Sequence, residues 1–149
     1  MSDTGVNATM TTFGHPDTVV AEYPHWVVLL RPQQATLGAL VLAARGTATR
    51  FSDLDAATMA GLHEVVGDIE RTLKSLFDYD KINYMMLMMV DPHVHLHVVP
   101  RYAAPRAFEG VDFLDPGWPR MPDLTHSTVT DDPLRGRLVG RLRTAWPRH

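Results

Sequence analysis

The chain contains no cysteine, which excludes disulfides and thiolate metal sites and fits a reducing compartment. Neither sign of charge dominates. Fourteen Lys and Arg face seventeen Asp and Glu, for a net charge of −3. That gives no electrostatic footprint for nucleic acid, and no nucleic-acid partner is expected. A small anionic substrate stays open, because a local site can be positive inside a mildly acidic protein. No apolar stretch approaches the roughly 20 residues of a membrane span, so no membrane partner is expected. Residues 1–17 have neither a basic start nor an apolar run, so they do not read as a secretory leader. The expectation is a soluble, cytoplasmic protein. Its 149 residues suffice for one domain with a core and are too few for two large ones.

What is there divides into periodic segments. Residues 1–18 read as an N-terminal arm, poorly ordered or at most docked, ahead of a domain over 19–149. Trp26–Leu30 and Leu37–Ala43 are short apolar runs that read as paired strands. Asp55 is placed as an N-cap, with Leu54 and Met59 at the positions of a hydrophobic staple. Met59, Leu62, Val65, Val66, Ile69, Leu73 and Leu76 then recur at helical spacing, predicting an amphipathic helix that ends near Phe77. Ile82–Val90 is almost all apolar and predicts a buried strand; its four methionines read as ordinary core before pocket lining. Residues 103–131 are rich in proline, glycine and acids and predict a long irregular segment. Asp132 as N-cap and Pro133 then open a C-terminal helix with Leu134, Leu138 and Leu142 on its apolar stripe.

The chemistry concentrates in Asp91-Pro92-His93-Val94-His95-Leu96-His97-Val98-Val99-Pro100. On a strand His93, His95 and His97 share one face and Val94, Leu96 and Val98 the other. Same-face neighbours stand about 6.5–7 Å apart, so a phosphate over His95 is within reach of both flanking imidazoles. Histidine titrates near pH 6.5, and three adjacent cations repel, so the row holds neutral and protonated members together. A neutral imidazole is a nucleophile, and a protonated one stabilises phosphate charge or protonates a leaving oxygen. Three histidines also suit a catalytic zinc, although gathering a flat strand row onto one ion strains it.

The run His93-Val94-His95-Leu96-His97-Val98-Val99 resembles the signature of the histidine triad (HIT) superfamily. The resemblance extends to Lys81-Ile82-Asn83-Tyr84 before it, to Pro100-Arg101 after it, to Leu37–Leu42, to Phe51–Leu54 and to Asp115-Pro116-Gly117-Trp118-Pro119. Pro92-His93-Val94-His95 and Val99-Pro100-Arg101 are most similar to the fragile-histidine-triad branch, the diadenosine polyphosphate hydrolases. The resemblance implies an α+β fold, one domain, with an antiparallel sheet of about five strands and packed helices, usually as a homodimer. It implies that His95 attacks the α-phosphorus to form a covalent nucleotidyl-histidine, with His93 and His97 binding phosphate oxygens. A backbone carbonyl would hold the His95 tautomer. Asn83 is the candidate polar partner, and Leu30, Leu40 and Arg31 are candidate substrate-binding residues on the two early strands. No cofactor and no protein-held metal are expected; magnesium would accompany the substrate phosphates. Ala39, Arg31, Met88 and Met89 stand where many members carry other residues. They motivate a second reading, a nucleotide-binding protein with little catalysis. A metal-dependent hydrolase using the three histidines is the third.

Overall fold

Trp26–Leu30 (β2) and Leu40–Ala44 (β3) are built wholly of apolar residues, and every residue in both is buried. A strand that is apolar throughout needs cover on both faces. A computed structural model, which describes residues 5–128 and 130–148, shows what supplies it. The two strands join Val19–Glu22 (β1), Lys81–Met85 (β4) and His95–Arg101 (β5) in a five-stranded sheet of order β1-β2-β3-β5-β4. All neighbours are antiparallel. This is the expected α+β architecture.

One face carries the main core. Trp26, Val28, Leu30, Leu40, Leu42 and Val98 meet Val65, Ile69, Leu73 and Phe77 of a long helix, Ala56–Phe77 (α2). Asp55 caps α2 by accepting from the Thr58 amide at 2.9 Å, and Asp78 ends it in a left-handed conformation with φ 49°. The Trp26 indole donates to the Thr58 carbonyl at 2.8 Å, fixing the first turn of α2 to the sheet. Leu138 and Leu142 of the C-terminal helix, Asp132–Ala145 (α3), close the same core. Among the described residues no helix is long and apolar enough to cross a membrane.

The opposite face is covered by the N-terminal arm. Its described part, residues 5–18, is docked and contains a five-residue helix, Ala8–Thr12 (α1). Met10 packs on Val27, Leu29, Val41 and Ala43, with Phe13 and Val19 beside them. Asn7 caps the helix by accepting from Met10 and donates to the carbonyls of Ala44 and Gly46 at 3.1 and 2.8 Å. Its amide thus replaces ladder hydrogen bonds that no strand supplies there. Residues 1–4 of the expected arm lie outside the described residues.

Four boundaries differ from the sequence reading. The strand expected over 37–43 begins at Leu40, because Gly38 turns at φ 84° and a Cβ there would stand 2.9 Å from the Phe77 ring. The strand expected over 82–90 stops at Met85; Met88 adopts φ 44°, and Met89 and Val90 are 84% and 90% exposed. An apolar run at a sheet edge becomes a loop there rather than core. Asp131, not Asp132, caps α3, accepting from the Leu134 amide at 2.8 Å. Finally, part of 103–131 is regular. Arg106–Phe108 (β6) and Val111–Phe113 (β7) form a hairpin, and Thr128 bridges to Gln34.

Candidate active site

β5 begins at His95, so His93 stands just before the strand and not within it. Its chain still runs along β3, since the Ala44 amide donates to the Val94 carbonyl at 3.0 Å. β5 also passes through Pro100 and ends at Arg101. Ala43 lies opposite His95 and Val41 opposite His97, which puts both histidines on the α1 side of the sheet. Their ring centroids are 5.2 Å apart.

The three imidazoles have different surroundings. His95 is 2% exposed, and its Nδ1 lies 2.7 Å from the His93 carbonyl oxygen. A carbonyl only accepts, so Nδ1 carries a proton, and the tautomer this selects has its lone pair on Nε2. His97 is also buried, and its pKa is pushed down to about 4 by burial first, then by Arg31 and His95. It is therefore neutral at physiological pH, and its Nδ1 is buried with no partner. The half-buried His93 holds Nδ1 3.0 Å from the Thr9 hydroxyl, which also accepts from the His93 amide at 3.3 Å. The Phe13 ring roofs the row, 5.6 Å from the His95 centroid and 5.8 Å from that of His97.

A cavity of about 490 Å³ opens over His95 and His97. Thr12 and Phe13 line it from the arm, Arg31 and Gln33 from the end of β2, and Leu87–Asp91 from the loop after β4. The volume suits a small molecule, and its lining mixes apolar walls with a few polar groups.

Of the expected substrate-binding residues, only Arg31 lines this cavity. Leu30 and Leu40 are fully buried in the core under α2. Val41 pairs with both His97 and Leu29, so alternation points Leu30 and Leu40 through the sheet to the other side. The walls come instead from the α1 side and the methionine loop. Asn83 is on the histidine side of the sheet but opposite Val99, one same-face step from Met85, the neighbour of His97. It accepts from Arg101 at 2.8 Å and lines a separate cavity with Trp118 and Arg120. It supports Arg101 and does not reach the triad.

The sequence reading misses Thr9, Phe13 and the loop Leu87–Val90. The arm has no sustained period to betray α1, and its contacts with the triad span more than eighty residues. The one available signal is Phe13, the only aromatic in the first eighteen residues.

Residues 13–104, well over half of the chain, match the HIT domain family model. The fold is similar to that of three solved histidine triad proteins. One, from Sinorhizobium meliloti, shares 17% identity at a TM-score of 0.72, covering 93% of this chain and 94% of its own. A second, from Bradyrhizobium japonicum, shares 21% at 0.69 over 95% and 96%. A third, from Marinobacter aquaeolei, shares 19% at 0.68 over 95% and 94%. No curated protein matches the chain.

Proposed function

The chain belongs to the HIT domain family, nucleotide-binding hydrolases and transferases, and on that premise we propose that it cleaves a nucleoside phosphoanhydride through a nucleotidyl-histidine on His95. Diadenosine polyphosphates are the leading substrate class, as in the fragile-histidine-triad branch that the motif resembles. The carrying observation is the 2.7 Å hydrogen bond from His95 Nδ1 to the His93 carbonyl. It fixes the tautomer whose lone pair sits on Nε2, the nitrogen free to attack.

The chemistry balances in two steps. The Nε2 lone pair forms the N–P bond while the bridging P–O bond breaks, and its electrons leave with the departing phosphate. Water then adds to phosphorus and gives up a proton to solvent, the P–N electron pair returns to Nε2, and the nucleoside monophosphate departs. The proton stays on Nδ1 throughout, donated to the His93 carbonyl, which stabilises the ring as it gains positive character. His93 and His97 bind phosphate oxygens, and magnesium accompanies the substrate phosphates. A homodimer, the assembly implied by the resemblance, is part of the same reading and is tested by sedimentation.

Geometry favours a nucleophile over a metal ligand. Among the described residues no three His, Cys, Asp or Glu side chains are gathered as an ion would need. The decisive experiment is incubation with diadenosine triphosphate, a denaturing quench at alkaline pH that spares the acid-labile P–N bond, and mass spectrometry of the intact protein and its peptides. A nucleotidyl adduct on His95 is expected, and His95→Ala should lose it along with at least about 10³-fold in turnover. Full turnover in that variant overturns the nucleophile. A wild-type protein that binds AMP yet never turns over would instead establish the binding-protein reading.

A further inference from the structure

The molecule treats its two buried arginines differently. Arg101, 4% exposed, is answered by Asp115, whose carboxylate accepts from Nε at 2.7 Å and from a second guanidinium nitrogen at 3.2 Å. Asn83 accepts from its third nitrogen. Arg31, 8% exposed, has no such answer. One guanidinium nitrogen donates to the Gln33 carbonyl at 2.7 Å, Nε is buried without a partner, and it forms no ion pair among the described residues. A guanidinium stays charged at any physiological pH, so this is a desolvated cation with open donor capacity.

Its position tells what would fill that capacity. The Arg31 amide donates to the Ala39 carbonyl, and Ala39 continues β3 one same-face step beyond Val41, the neighbour of His97. Reading along the histidine side of the sheet, the order is therefore His93, His95, His97, Arg31. Arg31 is close enough to help hold His97 neutral, and His97 Nδ1 is the other buried polar atom in this cavity without a partner. Arg31 and His97 both line the cavity beyond the nucleophile, and each keeps a buried nitrogen without a partner. The lining's single carboxylate, Asp91, makes no ion pair with Arg31.

We propose that Arg31 is an anion receptor for a second phosphate of the substrate, bound on the His97 side of the phosphorus that His95 attacks. The inference rests on the nucleotide reading above and names the residue that recognises the phosphate next to the one attacked. A planar fork of N–H donors matches phosphate oxygens. Phosphate is the anion that adjoins an attacked phosphorus in a phosphoanhydride.

The test separates this claim from the chemistry by reading affinity in a protein that does not turn over. In a His95→Ala background, the Kd of ADP and of AMP is measured by calorimetry, with Arg31 present and replaced by Gln. ADP should bind at least 10-fold tighter than AMP when Arg31 is present, and Arg31→Gln should erase most of that ratio. An equal ADP-to-AMP ratio in both proteins overturns the proposal. Arg31→Lys keeps the charge without the fork and should retain part of the ratio. It also serves if the glutamine variant does not fold, and a fully retained ratio there overturns the role of the fork. Pyrophosphate should displace ADP better than malonate does; equal displacement would make the receptor one for carboxylates. Failure of both nucleotides to bind overturns the nucleotide reading itself, whereas binding without discrimination overturns only the receptor.

Discussion

The Thr9 hydroxyl and the His93 ring are joined at Nδ1 over 3.0 Å, and the same hydroxyl accepts from the His93 amide. The arrangement that satisfies both groups has the hydroxyl donating to Nδ1, which places the ring proton on Nε2. His93 and His95 then hold opposite tautomers. One offers a proton at Nε2 and the other a lone pair, so a phosphate bound between them meets a donor and a nucleophile.

Thr9 is accordingly a positioning residue. Thr9→Val keeps the shape and removes the hydroxyl. It should lower kcat by about 10-fold and stability by about 1 kcal/mol, the worth of one hydrogen bond. The discriminating readout is the ¹⁵N shift of His93 Nδ1, which should move toward the protonated tautomer in Thr9→Val and return in Thr9→Ser. An unchanged shift in the valine variant removes the tautomer role.

His97 predicts how stability follows pH. Its folded pKa of about 4 lies below the ordinary value of 6.5. Between those values the unfolded chain binds a proton that the native state refuses, so stability falls as pH drops from 6.5 toward 4. The full contribution is present above pH 6.5 and amounts to about 3 kcal/mol. Urea unfolding of wild type and His97→Gln across this window checks it. The difference between the two curves should shrink on acidification, and parallel curves would contradict the assignment.

Asp115 neutralises the buried Arg101 and also accepts from the Tyr102 amide at 3.1 Å. Asp115→Ala strands a buried guanidinium and should cost about 3–5 kcal/mol. Denaturant midpoints measure it. A loss below 1 kcal/mol would mean that water reaches the arginine.

Phe13→Ala removes the roof over His95 and His97. Water then reaches His97, and its pKa should rise from about 4 toward 6.5. Histidine Cε1 proton shifts followed through a pH titration report it, and an unmoved His97 resonance would show that the burial comes from elsewhere.

These groups were unequally legible in sequence. The alternation of His95, Leu96, His97 and Val98 is strict, and both neighbouring strands confirm its two faces. Asp55 and Phe77 bound α2 because cap and apolar stripe are local signals. Leu30 and Leu40 failed as pocket walls for a different reason. In a run apolar on both faces, hydrophobicity carries no parity, and only the partner register separates Leu29 from Leu30. The loop after Met85 looked like a strand because pocket-lining methionines and core methionines have the same composition. The arm was illegible because its stabilising groups, Ala44 and Gly46 for Asn7 and His93 for Thr9, lie far along the chain.

The separation between Thr9 and His93, 84 residues, also orders events in time. At a ribosomal pace of about 5–20 residues per second, His93 follows Thr9 by roughly 4–17 s. Through that interval α1 has no histidine row to cover, and a helix of five residues does not persist alone. α2 needs no such wait for its own turns. The nascent chain can therefore be helical long before it has a site, and α1, made ahead of α2, finds its place after it. A chain stalled before β5 would carry the arm, the helix and most of the sheet, and no catalyst.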